Sequence, residues 1–182
     1  MGESPSNVWP DHVGESSWLA AAAFGRIVAA IDYPMYVVTT RDSTASKAAG
    51  CLVGFAGQVS IKPERFLVAL SRENHTYRIA RDATHLAVHL LSGDATELAS
   101  LFGGSTEDSI DKFSRCEWTD GPANMPVLAD ATAWFVGRIL TRWDCGDHMG
   151  HLLEPIAGYA PEHMIDWLTF SSVRDLSPGH EP

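Results

Sequence analysis

The segment Gly50-Cys-Leu-Val-Gly-Phe-Ala-Gly-Gln-Val-Ser-Ile-Lys-Pro63 is the stretch on which the fold prediction depends most. Between Gly50 and Gly57 it contains neither a charged side chain nor a hydroxyl group. Its three glycines allow the backbone to turn sharply or to approach a neighbouring group closely, whereas a purely structural strand favours β-branched and aromatic residues. The segment therefore predicts a strand whose peptide N–H and C=O groups, rather than its side chains, recognise a flat ring with polar edges.

The composition of the 182-residue chain argues against several classes of function. Its net charge of -10 argues against a surface for nucleic acid, because phosphate backbones are bound by clusters of Lys and Arg. No apolar run approaches the roughly 20 residues that a membrane-spanning helix needs, and residues 1–6 lack the features of a secretion signal. Cys51, Cys116 and Cys145 form an odd, scattered set, which indicates reduced thiols in a cytoplasmic protein.

Hydrophobic patterning and turn residues predict many short strands and a few helices. Helices are expected over residues 20–31, 74–82 and 94–102, with Asp94 as the cap of the third, and one or two helical turns within 107–113. Strands are expected at residues 35–40, within 50–63, and at 65–70, 85–91, 131–143, 150–156 and 168–173. Because strands and helices do not alternate one for one, the pattern predicts an all-β core, closed as a barrel, with peripheral helices.

The segment Ser71-Arg-Glu-Asn-His-Thr-Tyr-Arg78 ends a predicted strand and opens a predicted helix. The N–H groups at the start of a helix attract a phosphate. Thr76 adds a hydroxyl group there, and Arg72, His75 or Arg78 adds a positive charge. The other interpretation is ordinary capping of the helix by Asn74, and the residues alone leave both open.

The segment Gly146-Asp-His148 lies between two long predicted strands. An imidazole can donate a hydrogen bond, accept one, or act as an acid near neutral pH, and Asp147 is placed to orient it. The alternative is a tight turn, in which Gly-Asp is a common sequence.

Two histidine spacings raise the question of a metal site. Cys145, His148 and His151 have the spacing of three zinc ligands, but they lie in a predicted hairpin turn with no obvious fourth ligand. His85 and His89 are four residues apart within a strand-like sequence, which favours partly buried structural histidines. No metal site is therefore predicted.

Several of these segments occur together in an order that resembles one known family. They are Thr39-Thr40, Gly50, Val59-Ser-Ile-Lys-Pro63, Asn74-His-Thr76, Phe102-Gly103 and Gly146-Asp-His148. With this order and spacing, roughly residues 24–158 resemble the flavin reductase family of FMN-binding split-barrel proteins. The resemblance implies a mainly β fold, a six-stranded antiparallel split barrel with peripheral helices, assembled as a homodimer. Residues 1–20 are then expected to be a flexible lead-in, 21–158 the split-barrel domain, and 159–182 a C-terminal extension that wraps the dimer.

The resemblance also implies an activity. Proteins of this family bind FMN, or in some cases FAD, near the dimer interface and reduce it with NADH or NADPH, and reduced FMN can then serve a partner flavin-dependent monooxygenase. By similarity, His148 would be the catalytic residue beside the ring and the nicotinamide. The cofactor-binding residues that the resemblance implies are Thr39, Thr40, Lys47, Cys51, Leu52, Val53, Gly54, Phe55, Ser71, Thr76 and Arg78.

The chain departs from the family at the expected edge of the flavin ring. The family usually has Thr, Ser or Asn where this chain has Leu52, Gly54 and Phe55. Only backbone donors then remain, each with a net contribution of about 1 kcal/mol when well formed. Two alternatives follow: a deazaflavin-dependent split-barrel oxidoreductase, since a deazaflavin has carbon in place of N5, or a non-catalytic FMN-binding module.

Overall fold

The computed structural model describes residues 17–42, 47–104, 110–163 and 166–176, with the backbone alone for 17–20. The chain divides into two compact units at Asp32. The first unit contains α1 (Ser17–Ala30), whose alanine-rich sequence has high helix propensity. Of the predicted lead-in, residues 1–16 lie outside the described residues and 17–20 are helical. The second unit begins at Tyr33 and contains the strands.

The second unit is built around an antiparallel sheet. The described strands are β1 (Tyr36–Arg41), β2 (Ala48–Val53), β3 (Ala56–Ile61), β4 (Glu64–Ser71), β5 (His85–Leu90), β6 (Trp118–Asp120), β7 (Pro126–Leu128), β8 (Ala133–Asp144) and β9 (His148–Tyr159). Seven of them form one sheet in the order β2-β1-β5-β8-β9-β4-β3, and β6 pairs with β7 alone. The predicted mainly β, antiparallel fold is confirmed.

The seventh strand of the large sheet comes from the glycine-containing segment 50–63. The backbone reverses at Gly54 and Phe55, where the Ala56 N–H donates to the Gly54 carbonyl oxygen over 3.0 Å. The segment therefore contributes the end of β2 and all of β3. For this reason the sheet has seven strands where the resemblance implied six.

The sheet curves around one of the three buried clusters of the described residues. Strands from both halves of the sheet order supply its members, which include Val38, Cys51, Val53, Val68, Leu70, Leu86, Val88 and Leu153. β2 and β4 contact each other without pairing, although they lie far apart in the strand order. The helix α2 (His75–Ala80) packs on β1, β2 and β4. The curvature brings the ends of β2, β4 and the β8–β9 pair together within the second unit.

The C-terminal segment 166–176 packs against residues around Met35 and Leu91. Leu168 is fully buried, donates through its N–H to Leu91 O over 3.0 Å, and accepts from the Met35 N–H over 2.9 Å. The strand predicted over residues 168–173 is wrong, because Thr169 makes only an isolated bridge to Pro34, which has no N–H to extend a ladder. The chain turns instead into α4 (Phe170–Val173). That residues 159–182 wrap a dimer stays a prediction.

The remaining helices agree with the sequence in part. Asn74 caps α2, since its Oδ1 accepts a hydrogen bond from the Thr76 N–H over 2.9 Å. Asp94 does not cap α3 (Thr96–Gly103), because the N-cap position is occupied by Ala95, whose side chain cannot accept a hydrogen bond. Residues 107–109 lie outside the described residues, and a single 3₁₀ turn follows at Lys112–Ser114. Of the helices described, none combines the length and apolar character needed to cross a bilayer.

Candidate functional site

A cleft of about 180 Å³ opens where the end of β2, the end of β4 and the turn between β8 and β9 meet. Seven of the predicted site residues lie on its wall, although they come from three distant segments of the chain. They are Cys51, Leu52, Val53, Gly54, Phe55, Ser71 and His148. Tyr33, Met35, Ala69, Asn74 and Phe170 complete the lining.

The end of β2 presents backbone rather than side chains to this cleft. Cys51 and Val53 belong to the central cluster, whereas Leu52 packs on the other face of the sheet among the residues around Phe102. This alternation follows from the twofold period of a strand. Because β2 is the terminal strand and pairs with β1 only, one edge of its backbone is not part of any ladder. A flat group with polar edges fits against such a strand edge.

The three glycines of the segment have different roles, and two of them serve packing within the protein. A Cβ atom on Gly50 would lie 2.7 Å from Phe102 Cε1, and one on Gly54 would lie 2.5 Å from Tyr33 Cε2. A Cβ on Gly57 would meet no atom within 4 Å. Gly50 therefore makes room for Phe102, and Gly54 makes room for Tyr33.

The Tyr33 ring that approaches Gly54 forms an aromatic wall of the cleft. It stacks on Phe170 with ring centroids 5.1 Å apart and an interplanar angle of 15°. The Phe170 N–H also donates to Tyr33 O over 2.9 Å. Neither residue is among the site residues predicted from the sequence, because Phe170 reaches the cleft through the packing of α4 and carries no local motif. The only signal was the glycine at position 54, whose small size admits the Tyr33 ring.

His148 faces the cleft at the start of β9 and is oriented by its neighbour. Its Nδ1 lies 2.8 Å from Asp147 Oδ1, and its ring centroid lies 5.0 Å from that of Phe55. The hydrogen bond with His148 lowers the pKa of the Asp147 carboxyl group. Because a carboxylate can only accept, the neutral imidazole carries its proton on Nδ1 and its lone pair on Nε2.

The turn that carries His148 is attached to the end of β4 through Arg72. Arg72 Nε donates to Gly146 O over 3.0 Å, and its Nη2 lies 2.8 Å from Asp144 Oδ2. Gly146 has φ +100°, a conformation that favours glycine. The guanidinium that the sequence offered as a charge for a phosphate is therefore bonded to this turn.

The predicted anion-binding residues on and before α2 occupy different environments. Ser71 lies on the cleft wall, and its Oγ accepts a hydrogen bond from the Glu73 N–H over 3.4 Å. Thr76 is fully buried and does not line the cleft, and among the described residues its hydroxyl group has no hydrogen-bond partner. Arg78 is exposed on α2, also away from the cleft wall.

Three other predicted residues are not brought to the cleft. Thr39 and Thr40 are fully buried on β1, where Thr39 Oγ1 donates to Pro126 O over 2.5 Å and Thr40 Oγ1 to His85 O over 3.1 Å. Lys47 is exposed, immediately before β2. Both threonine hydroxyl groups are therefore bonded within the protein, to β7 and to β5.

The histidines with metal-like spacings have separate surroundings. His151 is fully buried and Cys145 is exposed, while His148 bonds to Asp147. His89 is also fully buried; its Nδ1 donates to Val37 O over 2.9 Å and its Nε2 accepts from the Leu128 N–H over 3.2 Å. Burial lowers the pKa of His89 to about 4, which keeps it neutral. Within the described ranges, no three His, Cys, Asp or Glu side chains are grouped so as to hold a metal ion.

Comparison with known proteins identifies the family. The sequence model of the family described as "Flavin reductase like domain" matches residues 28–174. FMN reductase (NADH) RutF of Stutzerimonas stutzeri is 29% identical over 137 residues, which cover 75% of this chain and 75% of that protein. The 4-hydroxyphenylacetate 3-monooxygenase reductase component of Pseudomonas aeruginosa is 32% identical over 97 residues, 53% of this chain. The chain spans only 57% of the length of the Pseudomonas protein.

The fold agrees with this family. The crystal structure of a flavin reductase domain protein from Arthrobacter sp. FB24 superposes with a TM-score of 0.69 at 22% identity, over 79% of this chain and 86% of that one. The family match begins within α1 and ends beyond α4, so it includes the C-terminal segment that carries Phe170. The chain belongs to the flavin reductase like domain family.

Proposed function

We propose that this protein is an NAD(P)H-dependent flavin oxidoreductase that binds FMN in the cleft beside β2. One observation carries the proposal: the strand edge at residues 51–55, Ser71 and His148 line a single cleft, although they are far apart in sequence. Its relatives in Stutzerimonas and Pseudomonas are named as an FMN reductase (NADH) and as a monooxygenase reductase component. These names favour FMN over a deazaflavin, and NADH over NADPH.

The residues on the cleft wall fit the ring of a flavin. The outer edge of β2 would offer peptide groups to the polar edge of the ring, and the Tyr33–Phe170 pair would offer an apolar face. Bound FMN would supply the hydride-accepting chemistry. His148, held by Asp147 with Nε2 as its acceptor, would orient the reactants at the open side of the cleft. The surrounding side chains would exclude water from them.

The phosphate group of FMN would lie near the start of α2. Ser71 would bind it from the cleft wall, and the buried Thr76 hydroxyl group would find there the partner that it lacks among the described residues. The Thr39 and Thr40 hydroxyl groups already donate to Pro126 O and His85 O, and Lys47 and Arg78 are exposed away from the cleft wall, so we assign none of these four residues a contact with FMN.

We also propose that the protein acts as a homodimer. A typical ligand site encloses about 300–1,000 Å³, which is more than the cleft of about 180 Å³ offers. A second copy would supply the missing wall. Val59, Ile61, Leu140 and Ile156 are exposed apolar side chains on β3, β8 and β9 that such a contact would cover. Light scattering after gel filtration tests this; a monomeric mass with full FMN binding would contradict it.

The cysteines and the proposed reaction together suggest a cellular compartment and a partner. Cys51, Cys116 and Cys145 are all free thiols, which is usual in a reducing compartment. We propose a cytoplasmic enzyme that passes reduced FMN to a flavin-dependent monooxygenase. A coupled assay, in which such a monooxygenase hydroxylates its substrate only when this protein, FMN and NADH are present, tests the partner assignment.

NADH oxidation, followed by the loss of NADH absorbance with and without added FMN, tests the proposed function. We expect turnover that depends on FMN and is strongly reduced in His148→Ala. FMN that binds tightly while NADH remains unoxidised would favour the second candidate, a non-catalytic FMN-binding module. The observation that favours this second candidate is that Leu52, Gly54 and Phe55 carry no hydroxyl groups. Binding of a deazaflavin in preference to FMN would overturn the cofactor assignment.

A further inference from the structure

We propose that Arg72 is a positioning residue that holds His148 at the cleft. The inference rests on the proposed function, because it assumes that His148 orients the reactants. It extends that function to a residue that does not line the cleft.

Arg72 makes three contacts with one short segment. Its backbone N–H donates to Asp147 O over 3.0 Å, and its Nε donates to Gly146 O over 3.0 Å. Its Nη2 lies 2.8 Å from Asp144 Oδ2. Gly146 and Asp147 belong to the turn that joins β8 to β9, and Asp144 is the last residue of β8, so Arg72 connects the base of that turn to the end of β4.

Besides Arg72, the turn is held by the Cys145 N–H, which donates to His148 O over 3.0 Å, and by the pairing of His148 with Ser71 of β4. The Asp144 side chain is 71% exposed, and no atom lies within 4 Å of the position that a Gly146 Cβ would occupy. The Gly146 N–H donates to Asp144 Oδ1 over 2.8 Å, a bond within the turn itself. That bond and the Arg72 guanidinium together lower the pKa of the Asp144 carboxyl group. The charged carboxylate is therefore the form that Arg72 binds near neutral pH.

The position of this turn decides where the imidazole of His148 lies. His148 pairs with Ser71 across β9 and β4, and Arg72 is the next residue along the chain. A displacement of about 1 Å at a reacting group can cost on the order of a hundredfold in rate. The planar guanidinium binds two acceptors at fixed angles, which the single ammonium group of lysine does not reproduce. Loss of these two guanidinium bonds would allow the turn, and the His148 imidazole with it, to move relative to Ser71.

The test compares Arg72→Gln and Arg72→Lys with a matched control, Arg138→Gln. Arg138 forms an ion pair with Glu154 further along β9 and does not touch the turn. In the full chain loaded with FMN, we expect Arg72→Gln to slow flavin reduction by NADH about tenfold with unchanged FMN affinity. Arg72→Lys should show a smaller loss, and Arg138→Gln none. A wild-type rate in Arg72→Gln, or an equal loss in Arg138→Gln, would overturn the proposal.

A double-mutant cycle separates positioning from a general structural effect. If Arg72 acts through His148, then Arg72→Gln causes no further loss in the His148→Ala background. Losses that multiply in the double variant would contradict the proposal.

The nitrogen NMR signals of the His148 ring give a readout that needs no turnover. We expect the Nδ1–H tautomer in the wild type and a mixture of tautomers in Arg72→Gln, because the turn no longer fixes Asp147 against the ring. An unchanged spectrum would refute the positioning role. If the wild type does not oxidise NADH, the proposed function fails, and the NMR comparison still decides whether Arg72 orients His148.

Discussion

Replacing Gly54 with alanine tests whether this position is reserved for the aromatic wall of the cleft. The added Cβ would lie 2.5 Å from Tyr33 Cε2 and 3.1 Å from Met35 Sδ, well inside normal contact distances. Tyr33 has limited freedom to move away, because its ring stacks on Phe170 and its carbonyl oxygen accepts the Phe170 N–H. Overpacking of this kind typically costs about 1–3 kcal/mol, and we expect that loss in the free energy of unfolding. The same displacement would weaken FMN binding.

The assay is urea unfolding with Gly57→Ala as the matched control. Gly57 lies on β3, and a Cβ there meets no atom within 4 Å, so this variant should keep or slightly increase stability. A second control combines Gly54→Ala with Tyr33→Leu, which removes the contacted ring and should make the alanine harmless. Equal unfolding free energies for Gly54→Ala and Gly57→Ala would refute the packing argument. So would a Gly54→Ala penalty that Tyr33→Leu does not relieve.

Three further predictions concern other parts of the unit. Thr76→Val should stabilise the free protein slightly, because it removes a buried hydroxyl group without a partner. The same variant should weaken the binding of FMN more than the binding of riboflavin, and equal losses of affinity for both ligands would place the phosphate elsewhere. Thr39→Val should lower the unfolding free energy by about 1 kcal/mol through loss of the hydrogen bond to Pro126 O, and should leave the FMN affinity unchanged. Weaker FMN binding in this variant would show that Thr39 belongs to the binding site. The pKa of His89 is lowered from 6.5 to about 4, so as the pH falls the unfolded chain protonates this histidine before the folded protein does. His89 should therefore contribute on the order of 3 kcal/mol of stability above pH 6.5, and this contribution should be lost as the pH falls to 4. Urea unfolding at both ends of that range should show a smaller difference for His89→Gln, and an identical difference would contradict the assignment.

The sequence predicted the sheet more completely than it predicted the site. The strands at residues 36–41, 85–90 and 133–144 carry enough β-branched and aromatic residues to be recognised locally. β6 and β7 have three residues each, too few for a periodic pattern. The segment at residues 168–173 has strand-like composition, but its partner Pro34 lies more than a hundred positions away in the sequence. Local pattern gave no sign of that partner.

In the cleft too, residues in local motifs were predicted and residues placed by long-range packing were not. His148 and residues 51–55 were predicted from motifs, and the structure brings them together with Ser71. Thr39 and Thr40 were included through the resemblance, but their hydroxyl groups face Pro126 and His85, a choice that only the tertiary packing decides. Phe170 reaches the cleft because the C-terminal segment packs back beside Tyr33. Residues placed by long-range packing have no local signature to predict them.

We propose above that FMN bound in this cleft accepts hydride from NADH. Anaerobic mixing of the FMN-loaded protein with NADH, followed through the visible absorbance of the flavin in a single turnover, tests it most directly. We predict rapid bleaching of the flavin band in the wild type and much slower bleaching in His148→Ala, with Arg138→Gln equal to the wild type. A bound flavin that stays yellow in the presence of excess NADH, or bleaching that is as fast in His148→Ala as in the wild type, would contradict the account.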